Sequence, residues 1–173
     1  MKHAKWLMVG MFSVAGAGFL SADRTTPDGG PAFGALKTLQ GTWIAEAKNG
    51  AAARTTFELV ADGSVLMEHY ENASLPGGGH MVSTYDLDGG ALMLTHYCIA
   101  KNQPTLRAER YDAAAREVQF EFAHATGLAS PSAGHMRRAR YRIEDADHFT
   151  TEWEFFENGK KTMTEIERFT RVK

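Results

Sequence analysis

From residue 41 to its end the chain reads as one short β-forming run after another, each closed by Gly, Asp, Asn or Pro. The runs are Gly41–Ala47, Thr55–Val60, Ser64–Asn72, His80–Leu87, Ala91–Ile99, Pro104–Tyr111, Glu117–Ala123, His135–Ile143, His148–Glu157 and Lys160–Val172. Asp62-Gly63, Pro76-Gly77-Gly78-Gly79, Asp88-Gly89-Gly90, Asp145-Ala146-Asp147 and Asn158-Gly159 turn the chain between them. No sustained helical period occurs after residue 40. The pattern predicts an all-β domain of about ten antiparallel strands. Even spacing without a long crossover favours an up-and-down barrel over a Greek-key sandwich, and closure removes the edges that so many strands would expose.

What precedes the strands is different. Lys2 and Lys5 come before an uncharged apolar run, Trp6 to Leu20, and small residues follow at Ser21-Ala22. That layout predicts a secretory signal peptide over 1–22, and the run is short for a membrane span of about 20 apolar residues. The expected mature protein is periplasmic or secreted, with no stable membrane span after cleavage. Residues 23–31 read as a flexible linker, and 32–173 as the barrel domain. Phe33, Leu36 and Leu39 stand at helical spacing within Ala32 to Gln40, which predicts a short amphipathic helix capping one end of the barrel.

Composition narrows the partners. The formal net charge is −2 and no basic stripe occurs, so nucleic acid is excluded as a partner. The single cysteine, Cys98, allows no internal disulfide, so core burial must hold the domain.

Strand faces follow from alternation. Phe149, Trp153 and Phe155 alternate with Glu152 and Glu154, which places the aromatics inside and the carboxylates in solvent. Arg138, Arg140 and Arg142 share one face of the preceding strand and read as outer cross-strand partners of those glutamates. The last strand breaks the pattern: Glu165 and Glu167 alternate with Ile166, so a buried Glu165 would need an inner Arg or His as partner. His69, His124 and His148 read as surface or rim residues.

The candidate site gathers on one hairpin. A three-residue loop Asp88-Gly89-Gly90 would set His80 opposite Cys98, with His96 on the same face. Asn102 and Gln103 follow at the same end, and His135 approaches it from another loop. Imidazoles, a thiol and amides at a barrel mouth suit the orienting of a ligand, and Tyr85 and Trp153 are the aromatics to line its cavity. His80, His96, Cys98 and His135 are also a chemically sensible ligand set for zinc or copper, although no compact metal-ligand spacing occurs. Cys98 as a nucleophile lacks any sequence sign of an orienting acid or oxyanion hole. The expectation is a binding protein without catalytic residues, and the residues specify neither a cofactor nor an oligomeric state.

The tripeptide Gly41-Thr42-Trp43, following a short helix and opening an all-β chain, resembles the first strand of lipocalin-like (calycin) barrels. In that family the tryptophan packs beneath an arginine from the end of the last strand. The resemblance implies that Gly41, Trp43 and Arg171 are structural, with Arg171 over the Trp43 ring. Thr95-His96-Tyr97-Cys98, Asn102-Gln103-Pro104, Gly134-His135-Met136 and Thr170-Arg171-Val172 resemble an uncharacterised family of exported bacterial lipocalin-like proteins. What the resemblance implies is a container for a small, mostly apolar or amphipathic molecule. The alternatives are a metal- or haem-binding barrel and a structural envelope barrel with a filled interior. The Tyr-Pro-Thr motif of nitrobindin, a related haem-binding barrel, is absent.

Overall fold

The computed structural model describes residues 29–46 and 52–173. The signal peptide expected over 1–22, and all but the end of the expected linker, lie outside the described residues.

One helix and ten strands follow in order: α1 (Gly30–Lys37), β1 (Gly41–Glu46), β2 (Ala52–Val60), β3 (Val65–Asn72), β4 (Met81–Asp88) and β5 (Ala91–Tyr97). Then come β6 (Gln103–Asp112), β7 (Glu117–Thr126), β8 (His135–Ile143), β9 (His148–Glu157) and β10 (Lys160–Arg171). Each strand pairs antiparallel with its sequence neighbours, and β10 returns to β1 to close the barrel. The closing seam pairs Trp43 with Arg171 and Ile44 with Thr170. An extra backbone bond runs there from the Val172 N–H to the Thr42 carbonyl, 2.8 Å.

Helix α1 begins at Gly30, two residues earlier than expected, because Pro31 lacks an N–H and suits the first turn. It ends at Lys37. Its contacts gather at one end of the strands. The Gly29 N–H donates to the Gly90 carbonyl (2.7 Å), and Lys37 Nζ donates to the Gly63 carbonyl (2.8 Å). Ala32, Phe33 and Leu36 are buried there, as is Leu39 beyond the helix.

The apolar core fills the half of the barrel nearest that helix. Trp43 meets Phe149 edge-on with centroids 4.8 Å apart, and Phe149 stacks on Phe169 at 4.7 Å. Burying side chains of this size contributes about 1.5–3 kcal/mol each. Outside, Arg138 pairs with Glu154 and Arg140 with Glu152, both across the β8–β9 ladder. Glu154 faces outward but is covered rather than solvated: Arg138 (3.3 Å) and Lys161 (2.7 Å) lie over it.

The β4–β5 hairpin has a two-residue loop, not three. Gly89 and Gly90 both take positive φ (54° and 86°), the paired left-handed conformation that matches strand twist and that glycines adopt without a Cβ clash. Asp88 therefore pairs with Ala91, and Ser83 with His96. The register is shifted by one residue from the expected one, so His80 does not stand opposite Cys98.

Candidate functional site

Moving along the barrel away from α1, the interior turns polar. Alternation on β3 carries Leu66, Glu68 and Tyr70 inward together, so one apolar position is followed by a carboxylate and a phenol. On β10 the same period sets Glu165, Glu167 and Phe169 on the inner face, opposite Trp153, Thr151 and Phe149 of β9. Both glutamates that break the sequence pattern thus point inward. Of the inner Arg or His expected as a partner for Glu165, no arginine lines the cavity, while His96 shares it.

These strands, with β4, β5, β8 and β9, enclose a cavity of about 30 Å³. That is room for one or two water-sized groups. Its polar lining is Glu68, Tyr70, Ser83, His96, Thr151, Glu165 and Glu167, and Trp153, Met81, Met136 and Phe169 supply apolar wall. No Lys or Arg is among the lining residues.

Glu68 forms the floor and is fully enclosed. Thr55 Oγ1 donates to its Oε1 at 2.9 Å. The Tyr85 and Tyr141 hydroxyls lie 2.6 and 3.2 Å from Oε2 and 2.6 Å from each other, a closed triangle of oxygens. Burial pushes the Glu68 carboxyl above its ordinary value despite these hydroxyls, and pushes both phenols well up. Nearer the mouth, Tyr70 OH donates to Glu167 Oε1 (2.8 Å) and accepts from Asn72 Nδ2 (3.0 Å). Burial first, and then the neighbouring Glu165 charge, push Glu167 up to about 7. Burial also raises Glu165.

His96 closes the ring. It is 5 % exposed, its Nδ1 lies 3.1 Å from Ser83 Oγ, and its ring leans on Trp153 at 4.9 Å. Its Nε2 is buried with no hydrogen-bond partner among the described residues. Desolvation lowers its pKa to about 4, so the imidazole is neutral at neutral pH. His96 Nδ1 and Ser83 Oγ share one hydrogen bond; in the tautomer with Nδ1–H as its donor, Nε2 stands on the cavity wall as an acceptor.

The residues anticipated from the sequence are distributed as follows. His96 and Trp153 line the cavity, and Tyr85 lies beneath it in the Glu68 triangle. Cys98, Asn102 and Gln103 are outside the lining and build the far-end loops. The Cys98 N–H donates to the Asn102 carbonyl (3.1 Å), Asn102 Nδ2 donates to the Gly134 carbonyl (2.8 Å), and Gln103 Oε1 accepts from Thr126 (2.9 Å).

His80 is on the outside, its side chain 70 % exposed beside Glu71. His135 is buried against Phe122, with Nδ1 on the Ala133 carbonyl at 2.7 Å. Burial raises the Cys98 thiol, which disfavours the thiolate that a metal or a nucleophilic role needs. Among the described residues no three His, Cys, Asp or Glu side chains converge closely enough to hold a metal ion. The sequence reading did not name Glu68, Ser83 or Tyr141 as site residues; strand alternation from Leu66, from Tyr85 and from the outward Arg140 and Arg142 respectively is the signal that finds them.

At the opposite end, Arg171 lies over the Trp43 ring at 3.9 Å. Its guanidinium donates to the carbonyls of Gln40 (2.6 Å), Thr38 (3.0 Å) and Ala146 (2.8 Å), and Trp43 Nε1 donates to the Leu39 carbonyl (2.7 Å). Gly41 sits against this clamp at φ 117°, where a Cβ would stand 2.9 Å from Arg171 Nη1. This constellation is fastening, remote from the cavity.

No protein-family model matches the chain, and no curated protein matches it in sequence.

Proposed function

We propose that the protein is a small-molecule-binding barrel whose ligand places a polar head group in the cavity between β3, β5, β9 and β10. The observation that carries this is His96 Nε2, a polar atom buried in the cavity wall with no hydrogen-bond partner among the described residues. A buried polar atom left in that state costs about 1–3 kcal/mol, and a ligand group that pairs with it removes the cost. The cavity is too small and too polar to hold a mostly apolar ligand entire. The expected apolar part is better seated along Met81 and Met136, whose thioether side chains adapt to shape.

The test uses three small probes of equal length: n-butanol, n-butylammonium and n-butanoate. Saturable binding of at least one probe, seen by ligand-detected NMR and abolished in Thr151→Phe, is expected, because Thr151 is a wall residue. If no probe binds, or if binding survives the filled cavity, the reading is wrong.

Export and kinship with lipocalin-like proteins belong to the same proposal. Support comes from Lys2, Lys5, the apolar run to Leu20 and Ser21-Ala22, together with Gly41-Thr42-Trp43 under Arg171. N-terminal sequencing of protein recovered from the periplasm should begin at Asp23, and an intact Met1 there counts against export.

A further inference from the structure

A cavity reads its ligand through the balance of donors and acceptors in its wall. Here most of the donors are already engaged. Tyr70 donates to Glu167, the Tyr85 and Tyr141 hydroxyls are engaged with each other and Glu68, and His96 Nδ1 is paired with Ser83 Oγ. What remains facing the space is mainly carboxylate oxygen, from Glu165 and the free oxygen of Glu167, with the unpartnered His96 Nε2 and the Thr151 hydroxyl beside it. Trp153 lines the same space with its ring against His96.

Resting on the ligand-binding reading above, we infer that the ligand is a cation, specifically an organic ammonium whose N–H groups donate to Glu165, Glu167 and His96 Nε2. Three observations select this class. An anion would meet inward carboxylates with no Lys or Arg in the lining. A neutral alcohol brings one donor to a site offering several acceptors. A metal ion needs ligands gathered more tightly than the described residues bring them, whereas an ammonium makes longer hydrogen bonds and carries its own tail. The ring of Trp153 suits the same charge, since cations are drawn to the face of an indole. Glu68, held below by hydroxyls, contributes acidic field to the site without offering a free oxygen to the ligand.

Proton competition follows. The groups facing Glu167 are Glu165 on its own strand, Glu68 and Tyr70 on β3, and His96 on β5. None is a fixed positive charge, so a bound ammonium is the only cation opposing the proton there, among the described residues. Affinity for the ammonium therefore rises as the pH is raised through about 7, where Glu167 ionises.

The experiment is titration calorimetry with the same three four-carbon probes on wild type and on Glu165→Gln/Glu167→Gln, at pH 6 and pH 8. The double variant keeps side-chain shape and relieves a buried repulsion, so it folds. Expected for wild type at pH 8 is butylammonium binding at least about tenfold tighter than butanol or butanoate, with a loss of at least about tenfold in the double variant and weakening at pH 6. If butanol or butanoate binds as well as the ammonium and Thr151→Phe blocks it, the cavity binds ligands but the cation inference is overturned. If ammonium binding is unchanged in the double variant, it is overturned equally. If no probe binds at all, both readings fall together.

Discussion

At the scale of single residues, Glu167 is where the structure makes its sharpest quantitative statement. Its folded-state pKa is about 7 against an ordinary value of 4.5, because burial and Glu165 disfavour the anion. A raised acid stabilises the fold fully below its unfolded pKa, and that contribution is lost as pH rises through 7. Allowing for partial exposure, wild type should lose about 2 kcal/mol relative to Glu167→Gln between pH 5 and pH 8.5. Urea unfolding at both pH values checks this, and parallel pH profiles for the two proteins would contradict it. Tyr70 still finds an amide oxygen in the variant, so its hydrogen bond is not the variable. In the sequence this carboxylate is visible only as a break in alternation beside Ile166. That the break is an inward pair rather than an outward slip depends on the β10 register. Phe169, two residues on, pairs with and stacks on Phe149 and so holds that register.

At the scale of elements, the Arg171 clamp joins the segment after α1, the β8–β9 turn and the end of β10 through one guanidinium. Arg171→Ala leaves three backbone carbonyls without that donor and uncovers the Trp43 ring. A loss of about 3 kcal/mol is expected, read as a lower urea midpoint with unchanged slope. Arg171→Lys should recover less than half, because an ammonium lacks the planar fork that reaches several carbonyls while lying flat on an indole. Full recovery would mean that charge alone matters. The elements themselves were largely legible, since Gly, Asp and Asn turns punctuate every hairpin. Where the reading went astray, at Asp88-Gly89-Gly90, the fault lay in one residue of loop length. Both Gly89 and Gly90 accept positive φ and make the tighter loop favourable. That single residue moves His80 off the inner face and puts Ser83 against His96, which is why the expected His-His-Cys grouping was replaced by a serine-histidine pair.

At the scale of the whole molecule, the barrel divides along its axis into an apolar half fastened by helix and clamp, and a polar half holding unpaired acceptors and carboxylates. Periodicity revealed that an inside exists. It did not reveal this axial division, because depth along a barrel depends on strand stagger, which no local pattern encodes. The division has a consequence for motion. Amide hydrogens near Trp43, Phe149 and Phe169 are shielded by packing and by the guanidinium that ties three segments, so their exchange should need near-global opening. Towards Tyr70, His96 and Glu165 the enclosure is looser, and local opening there is less expensive. Each strand then carries a gradient of protection from one end to the other, and the chain can breathe at its cavity without loosening the end that keeps it closed.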